Sequence, residues 1–201
     1  MNPIIIDNFI PEAYQQSIFM LLTGPEFGWS FFDYSVSDMP LDAYYFTDLP
    51  TKEHMQFRHV FFRDDQEISP FAKYIESLFV SYQKHTACEI KYKQRVKSNL
   101  LVKDSFGPHL QPPHTDGMIV QDGEYNSVGK KTLLYYVNDS DGDTVLYNEY
   151  FTGESIGKVT VQQTVAPKKG RAIIFDSNQI HSGTNPQIND IRMVINCVFD
   201  A

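Results

Sequence analysis

The chain has 201 residues, with 17 Lys and Arg against 25 Asp and Glu for a formal charge of -8. That length fits one domain with a single sizeable core, and 42% hydrophobic with 21% charged residues is ordinary globular usage that argues against disorder. The negative balance disfavours a nucleic-acid partner, because affinity for phosphates comes from Lys and Arg.

In chain order, Ile4, Ile5 and Ile6 read as a short strand. Asp7, Asn8 and Pro11 then supply cap and first-turn signals for a helix carrying Tyr14, Ile18, Leu21 and Leu22, which Gly24-Pro25 ends. Residues 27–63 are aromatic and irregular (Trp29, Phe31, Phe32, Tyr34, Tyr44, Tyr45, Phe46), as expected of loops and short strands forming one wall of a cleft. Ser69-Pro70 opens a second helix, with Phe71, Ile75, Leu78, Phe79 and Tyr82 at helical spacing up to about His85. Strands follow at 90–102, 132–137, 144–147, 157–165, 171–175 and 191–199, separated by Gly, Pro, Asn and Asp clusters.

Two helices before a run of short strands predict an α+β chain whose second half is an antiparallel sandwich or barrel such as a jelly roll. The expected division places the N-terminal strand, helices and aromatic wall in 1–88 and the catalytic core in 89–201, all within one domain. Lys91, Lys93, Arg95 and Lys97 alternate along a strand and read as its solvent side. Cys88 and Cys197 lack paired spacing, so neither a disulfide framework nor a thiolate zinc site is suggested. The first seven residues lack a basic segment and no apolar run is long enough to span a bilayer, so a cytoplasmic location without membrane contact is expected.

The chemistry-bearing constellation is His114-Thr115-Asp116, with His181 and Arg192 downstream. On an extended segment, side chains at i and i+2 share a face, so His114 and Asp116 would aim at one point and a further histidine would complete a three-ligand set. Two His and one carboxylate on one face of an iron(II) ion leave the opposite positions open, the arrangement used by non-haem oxygenases. By itself, His114-Thr115-Asp116 after Pro112-Pro113 serves equally as a solvated loop. His109 is expected on a loop, and His54, His59 and His85 have no companions at metal spacing. The loops 104–113 and 117–131 flank the motif and are candidates for substrate contact.

The order Pro113-His114-Thr115-Asp116-Gly117, Thr132-Leu133-Leu134-Tyr135-Tyr136-Val137-Asn138, Gly142-Asp143-Thr144, Pro167 to Phe175, His181, Pro186 and Arg192 resembles iron(II)- and 2-oxoglutarate-dependent dioxygenases of the prolyl-4-hydroxylase-like branch, over most of the chain. The resemblance implies a double-stranded β-helix (jelly roll) with N-terminal helices packed on its major sheet. It also implies Fe(II) held by His114, Asp116 and His181, 2-oxoglutarate as co-substrate with Arg192 on its distal carboxylate, and O2.

Thr132 and Tyr136 would share a face and donate hydroxyls to the co-substrate, Asn99 would offer a further hydrogen bond, and Asn196 would share the face of Arg192. The implied reaction hydroxylates a peptidyl-prolyl or small-molecule substrate while 2-oxoglutarate becomes succinate and CO2. Asp116 argues against the related halogenases, in which a small residue replaces that carboxylate. A second glycine of the family's Gly-Gly-x-Thr turn is absent, with Asp141-Gly142-Asp143-Thr144 in its place, and many members of the branch have Lys in place of Arg192. Two other readings stay open: a cupin-like metal protein or sensor that does not use 2-oxoglutarate, and a non-catalytic module with a structural triad.

Overall fold

A computed structural model of the chain describes residues 2–34, 47–52, 54–103, 107, 109–116, 120–121, 124–125, 129–152 and 157–201. Tyr44, Tyr45 and Phe46 of the aromatic stretch, and 12 of the 25 residues in the two loops flanking His114, lie outside them. The elements are β1 (Ile4–Ile6), α1 (Glu12–Leu22), β2 (Ser30–Phe32), β3 (Gln56–Arg63), β4 (Gln66–Glu67), a 3-10 turn (Ala72–Ile75), α2 (Glu76–Thr86), β5 (Tyr92–Val102), β6 (Val120–Gln121), β7 (Glu124–Tyr125), β8 (Lys130–Tyr136), β9 (Thr144–Tyr150), β10 (Val161–Val165), β11 (Ala172–Asp176), β12 (Gln179–Gly183) and β13 (Ile191–Asp200).

Pro11 is the N-cap of α1, one residue earlier than the first-turn position its fixed φ suggested, and no side chain caps that end. Ser69 accepts a hydrogen bond from the Phe71 amide on its Oγ (3.1 Å), so the second helix enters through a 3-10 turn. It ends on Ala87 in the left-handed conformation.

Two antiparallel sheets form the core. The larger runs β1-β11-β8-β13-β5-β3-β2, with β4 beside β3; the smaller runs β10-β9-β12. Strands from both halves of the sequence enter the larger sheet, since β1 pairs with β11 and β3 with β5.

Alternation sorts the larger sheet's two faces. Leu133, Tyr135, Ala172, Ile174, Met193, Ile195, Cys197 and Phe199 join Ile18, Leu22, Ile75, Leu78 and Tyr82 of the helical segments in one buried cluster, in which Tyr82 stands edge-on to Phe199. Each fully buried large side chain there contributes about 1.5–3 kcal/mol. The opposite set, Leu134, Tyr136, Ile173, Phe175 and Val194, meets Leu146 and Val165 of the smaller sheet in a second cluster. Both faces of the larger sheet are therefore covered, and polar residues on its inner face have to find partners there.

Asp7 clamps β1 to the loop before β11. Arg171 donates from Nε to Oδ1 (2.7 Å) and from Nη2 to Oδ2 (3.2 Å), and Lys168 donates from Nζ to Oδ2 (2.9 Å). The Arg171 hydrogen bond, then that of Lys168, holds the Asp7 carboxyl down at about 2, against an ordinary 3.8. A carboxyl lowered on folding stabilises above its unfolded pKa and loses that stabilisation as pH falls toward the folded one. Asp7→Asn is therefore expected to cost about 0.5–1 kcal/mol at pH 7, modest because the clamp is exposed. In urea denaturation the gap from the unmodified chain should close between about pH 4 and pH 2.

Candidate active site

The inner face of the larger sheet and the facing strand β12 build the site. His114 pairs with His181 in an antiparallel bridge, each amide donating to the other's carbonyl (2.9 and 2.8 Å). That places the rings side by side, with centroids 4.5 Å apart. Asp116 lies two residues on, fixed by its amide donating to the Ser177 carbonyl (2.9 Å). The ligand atoms of His114, Asp116 and His181 all lie within 4.8 Å of one another, close enough for one metal ion.

The surroundings set the ionisation of each ligand. The Nδ1 of His114 faces the Pro112 carbonyl (2.9 Å) and that of His181 faces the Gln179 carbonyl (3.0 Å). Carbonyls only accept, so both protons belong on Nδ1 and both Nε2 lone pairs are presented to the shared point. Burial, then the neighbouring His181, pulls the His114 imidazole down to about 3, so it is neutral at physiological pH.

Burial alone would push the Asp116 carboxyl up. The closeness of His181, whose Nε2 lies 3.4 Å from Oδ2, and then the charge of Arg95 outweigh it and hold the group well below the usual range. Its Oδ1 accepts from Arg95 Nη2 (3.1 Å), and its Oδ2 from Asn196 Nδ2 (2.8 Å) and Thr132 Oγ1 (3.3 Å). A carboxylate with two imidazoles is a donor set suited to a divalent ion that keeps further positions open.

Arg192 lies at the far end of the same face and is 5% exposed. Its Nη2 donates to Thr144 Oγ1 (2.9 Å), and its Cζ sits 5.7 Å from the centre of the Tyr136 ring. Its Nε has no hydrogen-bond partner among the described residues. Burial pulls the guanidinium's pKa down against the opposing pull of Tyr136 and Asp143.

Three devices aim the side chain. Asn138, the last residue of the Tyr-x-Asn motif, accepts from the Met193 amide (2.8 Å) and donates to the Ile191 carbonyl (3.0 Å), gripping the backbone on both sides of Arg192. Asp141 accepts the amides of Gln187, Ile188 and Asn189 and so ties down the loop that leads into β13. Gly142 leaves the necessary room, since a Cβ there would lie 2.6 Å from the Thr184 carbonyl oxygen and 2.7 Å from Arg192 Cδ. The glycine that the turn needs is the one this chain keeps, and Asp141 stands in place of the other.

Tyr136 donates to Thr144 Oγ1 (2.7 Å), joining it to Arg192 through a shared hydroxyl. Thr132 shares the face, but its hydroxyl lies at the opposite end, between Asp116 and Ser177 Oγ (3.0 Å). Asn99 pairs with Val194 of β13 and has a buried Oδ1 without a partner among the described residues.

His109 bonds the Gly107 carbonyl, His59 lies between the Gly28 carbonyl and Ser69, and His85 stacks on Phe9, so none joins the triad. Arg95 and Lys97, expected on the solvent side of β5, face inward instead. Arg95 bonds Asp116, and the charge of Lys97 reaches His114. Alternation shows that two residues share a face; it does not show which face is wet when helices cover the other.

Residues 104–200 match the model of the 2OG-Fe(II) oxygenase superfamily. That region is the 2OG-Fe(II) oxygenase part of the chain. No curated protein sequence matches this oxygenase. Among solved structures, an oxidoreductase of the 2OG-Fe(II) oxygenase family from Burkholderia pseudomallei is similar at TM-score 0.65 and 12% identity, over 98% of this chain and 84% of that one. A Trichoplax adhaerens prolyl hydroxylase in complex with a hypoxia inducible factor oxygen degradation domain peptide fragment matches at 0.58 and 14%, over 98% and 83%. HygX from Streptomyces hygroscopicus, with nickel and 2-oxoglutarate bound, matches at 0.52 and 13%, over 98% and 82%. At such identities the likeness establishes the jelly-roll fold, which the two facing antiparallel sheets display. The family's cofactors are Fe(II), 2-oxoglutarate and O2, and His114, Asp116 and His181 could hold the metal. Among the described residues no helix is long and apolar enough to cross a membrane.

Proposed function

We propose that this oxygenase is a hydroxylase that couples the conversion of 2-oxoglutarate and O2 to succinate and CO2 with insertion of the remaining oxygen atom into a C–H bond of a peptidyl-prolyl or small-molecule substrate. The observation that carries the reading is Arg192. A buried guanidinium met by a hydroxyl and a ring face, with an unpartnered Nε, is costly unless an anion completes it. Its planar fork suits a carboxylate, which it can meet through two parallel charge-assisted bonds.

In this reading His114, Asp116 and His181 hold iron(II), with their Nδ1 protons fixed by the Pro112 and Gln179 carbonyls. Bound there, iron(II) supplies the oxygen chemistry that side chains lack. Arg95, Asn196 and Thr132 keep the Asp116 carboxylate turned and ionised. Gly183, opposite Thr144 in the ladder, lies two residues along β12 from His181, roughly 7 Å by strand rise. A short dicarboxylate could then reach the metal with one end and Arg192 with the other. Leu134, Leu146, Phe175 and Val194 make the stretch between apolar and exclude water from it.

The decisive measurement is calorimetric titration of 2-oxoglutarate into anaerobic protein loaded with iron(II), followed by succinate assay on admitting O2. One equivalent should bind and slow uncoupled succinate release should follow. Absence of 2-oxoglutarate binding would reduce the chain to a metal-binding protein that does not use it.

A further inference from the structure

We infer that Gln111 is a second side chain that grips the distal carboxylate of 2-oxoglutarate, opposite Arg192. The inference rests on the co-substrate reading above and assigns a role to a residue that no sequence motif marked. Gln111 is 8% exposed and its backbone is pinned, since its amide donates to the Gly183 carbonyl (2.7 Å).

Its carboxamide lies over Gly183. A Cβ placed on Gly183 would be 3.1 Å from Gln111 Oε1 and 3.8 Å from Arg192 Nη1, so both side chains reach the space that a side chain on Gly183 would fill. Thr144, which faces Gly183 across the ladder, is already bonded to Arg192.

Two donors near that point have no partner among the described residues: Gln111 Nε2 and Arg192 Nε. Buried donors without acceptors are costly, and these two belong to the side chains that meet beside Gly183, where one acceptor could serve both. The missing partner is an acceptor-rich anion, and a carboxylate offers about four lone-pair sites with no donor to clash with either side chain. Gln is suited to the place because it adds donors without a charge of its own and because its terminal torsion is soft, so the amide can turn toward a bound oxygen. Thr144, Arg192 and Gln111 then surround the distal carboxylate, with Gly183 as the floor.

The test compares Gln111→Met, which keeps volume and removes the donor, with Gln111→Glu, which sets a carboxylate beside Arg192. Both are titrated with Mn(II) and then, metal-loaded, with 2-oxoglutarate. Gln111→Met should weaken 2-oxoglutarate binding about tenfold or more, the effect of one charge-assisted hydrogen bond. Gln111→Glu should weaken it further, because its carboxylate competes for the guanidinium and repels the ligand, while Mn(II) affinity stays within about threefold for both. Binding of 2-oxoglutarate within twofold of the unmodified chain by both variants would overturn the assignment, as would an equal loss of metal affinity, which marks a structural role. Failure of the unmodified protein to bind 2-oxoglutarate would instead overturn the functional reading itself.

Discussion

Asp116→Ala is expected to abolish tight metal binding, with Fe(II) or Mn(II) affinity falling by more than about 100-fold, beyond what loss of an outer-shell partner causes. The carboxylate is the triad's one anion, and both imidazoles are held with their Nε2 lone pairs toward it. Without it, a divalent ion would meet two neutral donors beside the Arg95 cation. The same change strands the donors that hold Asp116. Arg95 is partly exposed and can turn to water, whereas the Asn196 amide is buried, so the metal-free variant should lose about 1–3 kcal/mol, a few degrees in Tm for a chain of this size.

Thermal melts with and without Mn(II) separate the two effects. The unmodified protein should gain Tm on adding metal and Asp116→Ala should gain none. A metal-induced gain that survives in Asp116→Ala would remove the carboxylate from the ligand set and favour a structural part for this cluster.

What the sequence revealed and what it concealed divide along physical lines. That His114, Asp116 and His181 come together was legible because few side chains bind metal and because their order is itself informative. The inner and outer faces of β8, β11 and β13 were legible because period-2 alternation survives where a strand is regular.

β3 was not legible. A register shift between Val60 and Phe62 sends Phe61 and Phe62 into the same cluster and erases the alternation that would mark a strand. β12 was missed for another reason: Gln179, His181 and Ser182 make the strand polar where a buried strand is expected to be apolar. Arg95, which bonds Asp116, and Asp141, which ties down the loop into β13, act across long sequence separations. Nothing local distinguishes them from surface residues.

Arg192→Met should weaken 2-oxoglutarate binding by roughly 100-fold while changing metal affinity by less than about threefold, because truncating one partner of a buried charge pair costs about 2–5 kcal/mol and tenfold corresponds to about 1.4. Methionine keeps much of the stem that passes Gly142, so packing against that turn is retained. Arg192→Lys separates charge from shape: a lysine supplies the cation but not the fork, and its affinity should fall between the two.

The metal-free protein gives the opposing readout. There the guanidinium is a buried cation with an unpartnered Nε, so replacing it with an apolar side chain of similar size should leave Tm unchanged or raised. Stability gained where ligand affinity is lost is the signature of a group retained for binding. A variant that loses metal affinity and 2-oxoglutarate affinity equally, or that melts well below the unmodified chain, would place Arg192 in the framework instead and remove the observation on which the co-substrate reading depends.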